Sequence, residues 1–116
     1  MYRHRIHVTV NNAHNWNEAL EVMRDMNGVA TRLNQPSASV WTETVGVFNQ
    51  LVVEVEYETL ADFEAGQSDM MSDPEWPPLV ARLDPIVVEG TGYTELLEQA
   101  SPVDGSPAGP GQSSAV

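Results

Sequence analysis

Residues 2–10 alternate without a break. Tyr2, His4, Ile6, Val8 and Val10 fall on one side, and Arg3, Arg5, His7 and Thr9 on the other. A two-residue period of this kind predicts a strand. Asn11 to His14 then turn the chain. Asn15 followed by Glu18 offers an N-cap with a variant capping box. Trp16, Ala19, Leu20, Met23, Met26, Ala30 and Leu33 follow at helical spacing, predicting a helix that Asn34-Gln35-Pro36 ends. Two strands rich in Val, Thr, Trp and Tyr are expected over Ser39 to Val45 and Asn49 to Glu58, joined by a turn at Gly46 to Asn49. Thr59 and Asp62 cap a second helix carrying Leu60, Phe63, Met70 and Met71 inward. Asp73-Pro74 starts a short third helix with Leu79, Val80 and Leu83 apolar, and Ile86 to Leu97 reads as a last strand. The order is βαββαβ, the ferredoxin-like arrangement of an α+β domain. Its antiparallel sheet carries the helices on one face only.

That topology sets the first and third strands side by side at the centre of the sheet. Arg3, Arg5 and His7 are then expected to face Glu56, Glu54 and Glu58 on the side away from the helices, and Trp41 and Val52 share that side. An exposed strand Trp beside a charged, helix-free face predicts a second subunit packed there. The expected partner is another copy of the chain in a two-fold dimer, with arginines approaching the other subunit's glutamates.

Composition narrows the function classes. The chain has 116 residues, the size of one domain, with the domain expected over 1–100. Ser101 to Val116 holds three prolines, three glycines and four serines with little that is apolar, and is expected to be a disordered tail. There is no cysteine and no lysine. Disulfides, thiolate ligands and lysine Schiff bases are therefore excluded. Five arginines face seventeen carboxylates, for a formal charge of −12. Such a surface repels phosphate backbones and anionic membranes, so neither nucleic acid nor membrane is an expected partner. No apolar run approaches the roughly 18 residues of a span, and MYRHRIHVTV lacks the apolar block of a signal peptide. A cytoplasmic location is expected.

Three stretches carry a resemblance: Gly46-Val47-Phe48-Asn49, LVVEVEYETLADFEA, and Ser72-Asp73-Pro74-Glu75-Trp76. Together they resemble NIPSNAP-like members of the dimeric α+β barrel superfamily, over residues 2 to about 98. The resemblance implies a two-fold dimer whose sheets form a barrel, and a ligand cleft in each subunit between sheet and helices. Superfamily members include cofactor-independent monooxygenases, cyclases of aromatic polyketide pathways and haem-binding enzymes. Bulky aromatics are often found in the middle of the second helix in such proteins, whereas this chain has Gly66-Gln67. A mid-helix glycine costs about 1 kcal/mol relative to alanine. The missing side chain, together with Asn27 and Gln67 interrupting two inward stripes, predicts either a polar-lined pocket or two partly solvated amides.

His4 and Tyr57 share the helix-facing side at one end of adjacent strands. In that setting they are the candidate catalytic pair, a general base and a hydrogen-bond donor toward an enolisable substrate. Some cyclases of the superfamily use the same residue types. Trp16, Asn27, Phe63, Gln67, Met70 and Trp76 are candidate substrate contacts, and Arg82 is a candidate for binding a carboxylate or enolate at the mouth. His4 and His7 point to opposite faces and do not form a metal pair, so no metal and no cofactor is expected. Haem through a single axial histidine stays open. The composite expectation is a small tailoring enzyme of secondary metabolism acting on a hydrophobic, carbonyl-bearing metabolite, as cyclase, isomerase or monooxygenase. The alternative is a non-catalytic dimeric module that binds a small ligand.

Overall fold

A computed structural model describes residues 1–101; all but the first residue of the expected tail lies outside the described residues. Strand β1 (Tyr2–Thr9) is followed by helix α1 (Trp16–Arg32), strands β2 (Ser39–Thr42) and β3 (Gln50–Tyr57), helices α2 (Leu60–Met71) and α3 (Trp76–Leu83), and strand β4 (Tyr93–Glu98). The sheet order is β2-β3-β1-β4 and every pairing is antiparallel. The fold class is thus α+β with a ferredoxin-like core, as the alternation and spacing predict. No described helix is long and apolar enough to cross a membrane.

Registers fix which residues meet. Arg3 lies opposite Glu56, Arg5 opposite Glu54 and His4 opposite Val55. Alternation then puts His4, Ile6, Val8, Val53, Val55 and Tyr57 toward the helices. Arg3, Arg5, His7, Trp41, Glu54 and Glu56 lie on the helix-free face. Charges on that face are paired inside the chain: Arg3 with Glu56 at 2.6 Å and Arg5 with Glu54 at 2.8 Å. These two pairs are the cross-strand facing that the alternation predicts, whereas His7 lies opposite Val52 rather than a glutamate of β3. His7 bonds Glu95 at 2.6 Å and stacks on Tyr93 with ring centroids 4.0 Å apart.

Several element ends differ from expectation for local reasons. The Asn15 side chain caps nothing and donates instead to Asn11; Asn12 caps a single 3-10 turn, Ala13–Asn15, from which α1 continues. Thr59 does cap α2, accepting from the Asp62 N–H at 3.0 Å. Helix α3 begins at Trp76, later than Pro74, because the Asp73 carboxylate accepts from the Glu75 N–H at 2.9 Å and closes a turn first. That backbone bond, and then Arg32 at 2.8 Å, hold the Asp73 carboxyl below its ordinary range. β4 is shorter than Ile86–Leu97. Asp84–Ile86 is a 3-10 turn, and Gly90 takes a φ of +79°, which breaks the extended run. β2 stops at Thr42, so the loop to β3 is longer than a tight turn; Asn49 takes a φ of +60°, and its carbonyl accepts from the Val10 N–H at 2.9 Å.

Two buried clusters hold the helices on the sheet. One joins Val10, Ala19, Leu51 and Ile86. The other joins Val22, Val29 and Leu79 between α1 and α3. Val22 and Val29 lie off the stripe drawn from spacing, because α1 buries a second flank against α3. Arg82 fastens the same pair of helices, bonding Glu18 at 2.9 Å and Asp25 at 2.8 Å. α2 sits differently: Gly66 is its only buried residue. The sheet beneath α2 is therefore not sealed by packed side chains.

Candidate active site

A cavity of about 230 Å³ opens in that unsealed space. Its floor is His4, Ile6, Val8, Val53, Val55 and Tyr57 of the two central strands. Its walls come from Met23, Met26 and Asn27 of α1, Gln67, Met70 and Met71 of α2, and Trp76 of α3; Pro36, Ala38 and Val40 border it on the β2 side. Eight-residue strands place three consecutive inward residues of β1 along the floor. A rise of roughly 3.3 Å per residue makes that floor about 13 Å long.

Polar groups gather at one end. His4 is 7% exposed and Tyr57 3%. Burial lowers the His4 pKa, and no charge or hydrogen bond opposes it, so the ring is a neutral imidazole at pH 7. Burial pushes the Tyr57 phenol up, and the neighbouring Gln67 side chain draws it part of the way back. No buried side-chain nitrogen or oxygen is left without a partner among the described residues. The His4 nitrogens therefore reach the cavity rather than being sealed in protein. Phe63 stands edge-on to both rings, 5.1 Å from His4 and 5.5 Å from Tyr57, and fixes them from behind.

The expected contacts sort by position. Asn27, Gln67, Met70 and Trp76 line the cavity. The Asn27 side-chain Oδ1 is already engaged, accepting from the Ala38 N–H at 2.9 Å. Phe63 backs the polar end, and Trp16 packs instead on the cluster around Val10 and Leu51. Arg82 does not border the cavity; its guanidinium is held by Glu18 and Asp25. Sequence spacing placed Arg82 on the right helix but not on the right side of it.

Gly66 has a different role from the one its position suggests. A Cβ there would lie 2.6 Å from Gln35 Oε1 and 3.3 Å from Tyr57 Cε1. The glycine brings α2 close to Tyr57 rather than leaving a hole. The space comes from the exposed seating of α2 as a whole. Met71 joins Met70 on the cavity wall, as its inward place on α2 predicts, whereas Met23, which spacing marks only as part of the α1 stripe, reaches the cavity through the way α1 crosses the sheet. Among the described residues no group of His, Asp and Glu has the spacing to hold a metal ion.

Comparison with known proteins agrees with this architecture. A NIPSNAP protein of Burkholderia xenovorans, uncharacterized, superposes with a TM-score of 0.71 at 20% identity, covering 86% of this chain and 95% of its own. A NIPSNAP family protein of Agrobacterium tumefaciens gives 0.68 at 16% identity, covering 92% and 98%. SnoaB of Streptomyces nogalater, a cofactor-independent oxygenase, gives 0.66 at 14% identity, covering 88% and 95%. At such identities the likeness speaks for the fold. No curated protein sequence matches the chain. The NIPSNAP family model matches residues 8–92, from the end of β1 to the approach to β4. On that match, spanning most of the folded part, the chain belongs to the NIPSNAP family.

Proposed function

We propose that this protein is a small cofactor-independent enzyme that removes a proton from the carbon beside a carbonyl of a hydrophobic metabolite. The observation that carries the reading is a neutral, unpartnered His4 and the Tyr57 O–H at one end of an otherwise apolar cavity. The His4 lone pair takes the C–H proton. The electron pair left on carbon moves into the carbonyl, and the developing enolate oxygen accepts from Tyr57. Returning the proton to another carbon gives isomerisation, and attack by the enolate carbon on a second carbonyl of the same molecule gives cyclisation. Oxygenation requires dioxygen as oxidant. A tailoring step in secondary metabolism suits such chemistry, and the fold shared with SnoaB supports it. The test uses β-tetralone, an uncharged ketone with acidic α-protons. In deuterium oxide the protein is expected to accelerate loss of its α-proton NMR signal well above the buffer rate. Saturable binding with no acceleration would favour the second reading, a binding module, which the four methionines on the walls support through their adaptable packing.

Assembly is the other part of the proposal. The helix-free face carries Trp41, 58% exposed, with Tyr93 and Leu97 also exposed. Its charges are paired within the chain, so a second sheet packed there buries no lone charge. We read it as the interface of a two-fold homodimer. Light scattering at micromolar concentration is expected to give twice 12.7 kDa. Trp41→Glu, which changes nothing buried, is expected to shift the population to monomer. A wild-type monomer overturns this part.

A further inference from the structure

Resting on that site, we infer that the cavity selects uncharged ligands, excluding carboxylated and ammonium-bearing analogues of equal size. None of its lining residues carries a formal charge: His4 is held neutral by burial, and every other polar group on the walls is an amide, a phenol or an indole. The cations that would welcome an acid are committed elsewhere. Arg3 and Arg5 are paired on the opposite face of the sheet. Arg32 is bound by Asp73 and Glu75, and Arg82 by Glu18 and Asp25. Arg24 lies exposed on α1 and does not border the cavity.

The surroundings act in the same direction. A wider depression of about 560 Å³ adjoins the polar end, sharing Tyr57 and Pro36 with the cavity. Glu56, Glu58 and Asp62 line it, against a single amino group at Met1. With a net charge of −12 on the whole chain, an anion meets a repulsive field on approach and no counter-charge on arrival. A cation is drawn to the surface, yet finds no carboxylate inside. Moving an ion from water into an apolar site without a partner costs far more than moving a hydroxyl that finds a hydrogen bond. A phenol or ketone oxygen, by contrast, meets the Tyr57 O–H and the His4 nitrogens. Size adds a bound: about 230 Å³ is below the roughly 300–1,000 Å³ of sites for drug-sized ligands. One ring, or two fused rings, fills it.

Equilibrium dialysis at pH 7.5 with β-naphthol, β-naphthoate and β-naphthylmethylammonium tests this on the full chain. The three share a ring system and differ in charge. β-Naphthol is expected to bind at least thirtyfold more tightly than either ion, about 2 kcal/mol. Met71→Arg, at a residue 66% exposed on the rim, is expected to raise the ratio of naphthoate to naphthol affinity at least tenfold. Arg82→Gln is expected to change neither. Naphthoate binding as well as naphthol, or losing affinity in Arg82→Gln, overturns the selectivity while leaving the site in place. If none of the three binds, both the selectivity and the site fall. Naphthol preference together with no β-tetralone exchange keeps the selectivity and removes the catalytic reading alone.

Discussion

Replacing Leu51 with alanine is expected to remove about 2–5 kcal/mol of folding stability, the largest loss from any single side chain in the sheet. Leu51 is 1% exposed, lies on the central strand β3 between Val8 and Thr42, and packs with Val10, Ala19 and Ile86. Its methyl groups touch side chains from every layer, so truncation leaves a hole that no neighbour can fill. Against a total of roughly 5–15 kcal/mol for a domain, that is a large fraction. The urea midpoint is expected to fall by roughly 1–3 M at unchanged slope. Ile6→Ala is the informative comparison. It removes a side chain of the same size from the neighbouring strand, but Ile6 borders the cavity. Part of its surface already faces open space, so fewer dispersion contacts are lost and little new void is created. Less than half the Leu51 loss is expected. Equal losses from the two variants would mean that the space beneath α2 is closed in solution, and the candidate site would go with it.

The contrast between those two strand positions also marks where sequence reasoning ends. Alternation over 2–10 and 50–57, with opposite charges at Arg3, Arg5, Glu54 and Glu56, pairs Arg3 with Glu56 and Arg5 with Glu54 as found, but it does not assign His7, which lies opposite Val52 and turns to Glu95 instead. A one-residue slip would have exchanged the charged and apolar faces. The same alternation placed His4 and Tyr57 on the side of the helices. Helical spacing was less informative because it describes one stripe at a time. α1 has two buried flanks, and Val22 and Val29 serve the one turned to α3. Its place on α3 suggests Arg82 for the cavity mouth, yet helix position leaves rotation free, and two carboxylates of α1 decide where its guanidinium rests. Gly66 shows a further limit. Its composition signal, a missing side chain, is compatible with a void or with a close approach. Only the position of Gln35 and Tyr57 against it distinguishes them.

His4→Ala is expected to reduce β-tetralone exchange by roughly 10²–10⁴-fold, the usual contribution of a positioned base. Tyr57→Phe removes the donor to the enolate oxygen and is expected to cost roughly 10²–10³-fold. Both variants should keep β-naphthol affinity within about tenfold, because most of the contact surface is the apolar wall they leave intact. Added imidazole should restore part of the rate in His4→Ala, where truncation opens room beside the ring of Phe63, and none in Tyr57→Phe. The pH dependence carries an independent check. Burial lowers the His4 pKa from its ordinary value of 6.5, so the active neutral ring persists below that pH, and the acid limb of the rate profile lies under 6.5. Stability follows the same group with a definite sign. Above pH 6.5 the ring is neutral in folded and unfolded chains alike and contributes no pH dependence. As pH falls below 6.5 the unfolded chain takes up the proton first, so stability is lost down to the lowered folded value and is constant beneath it. His4→Phe should abolish that component of the acid slope while leaving the part due to Asp73, which titrates lower. An acid limb at or above 6.5, unchanged in both variants, would show that another group is the base and that His4 serves only to pack against Phe63.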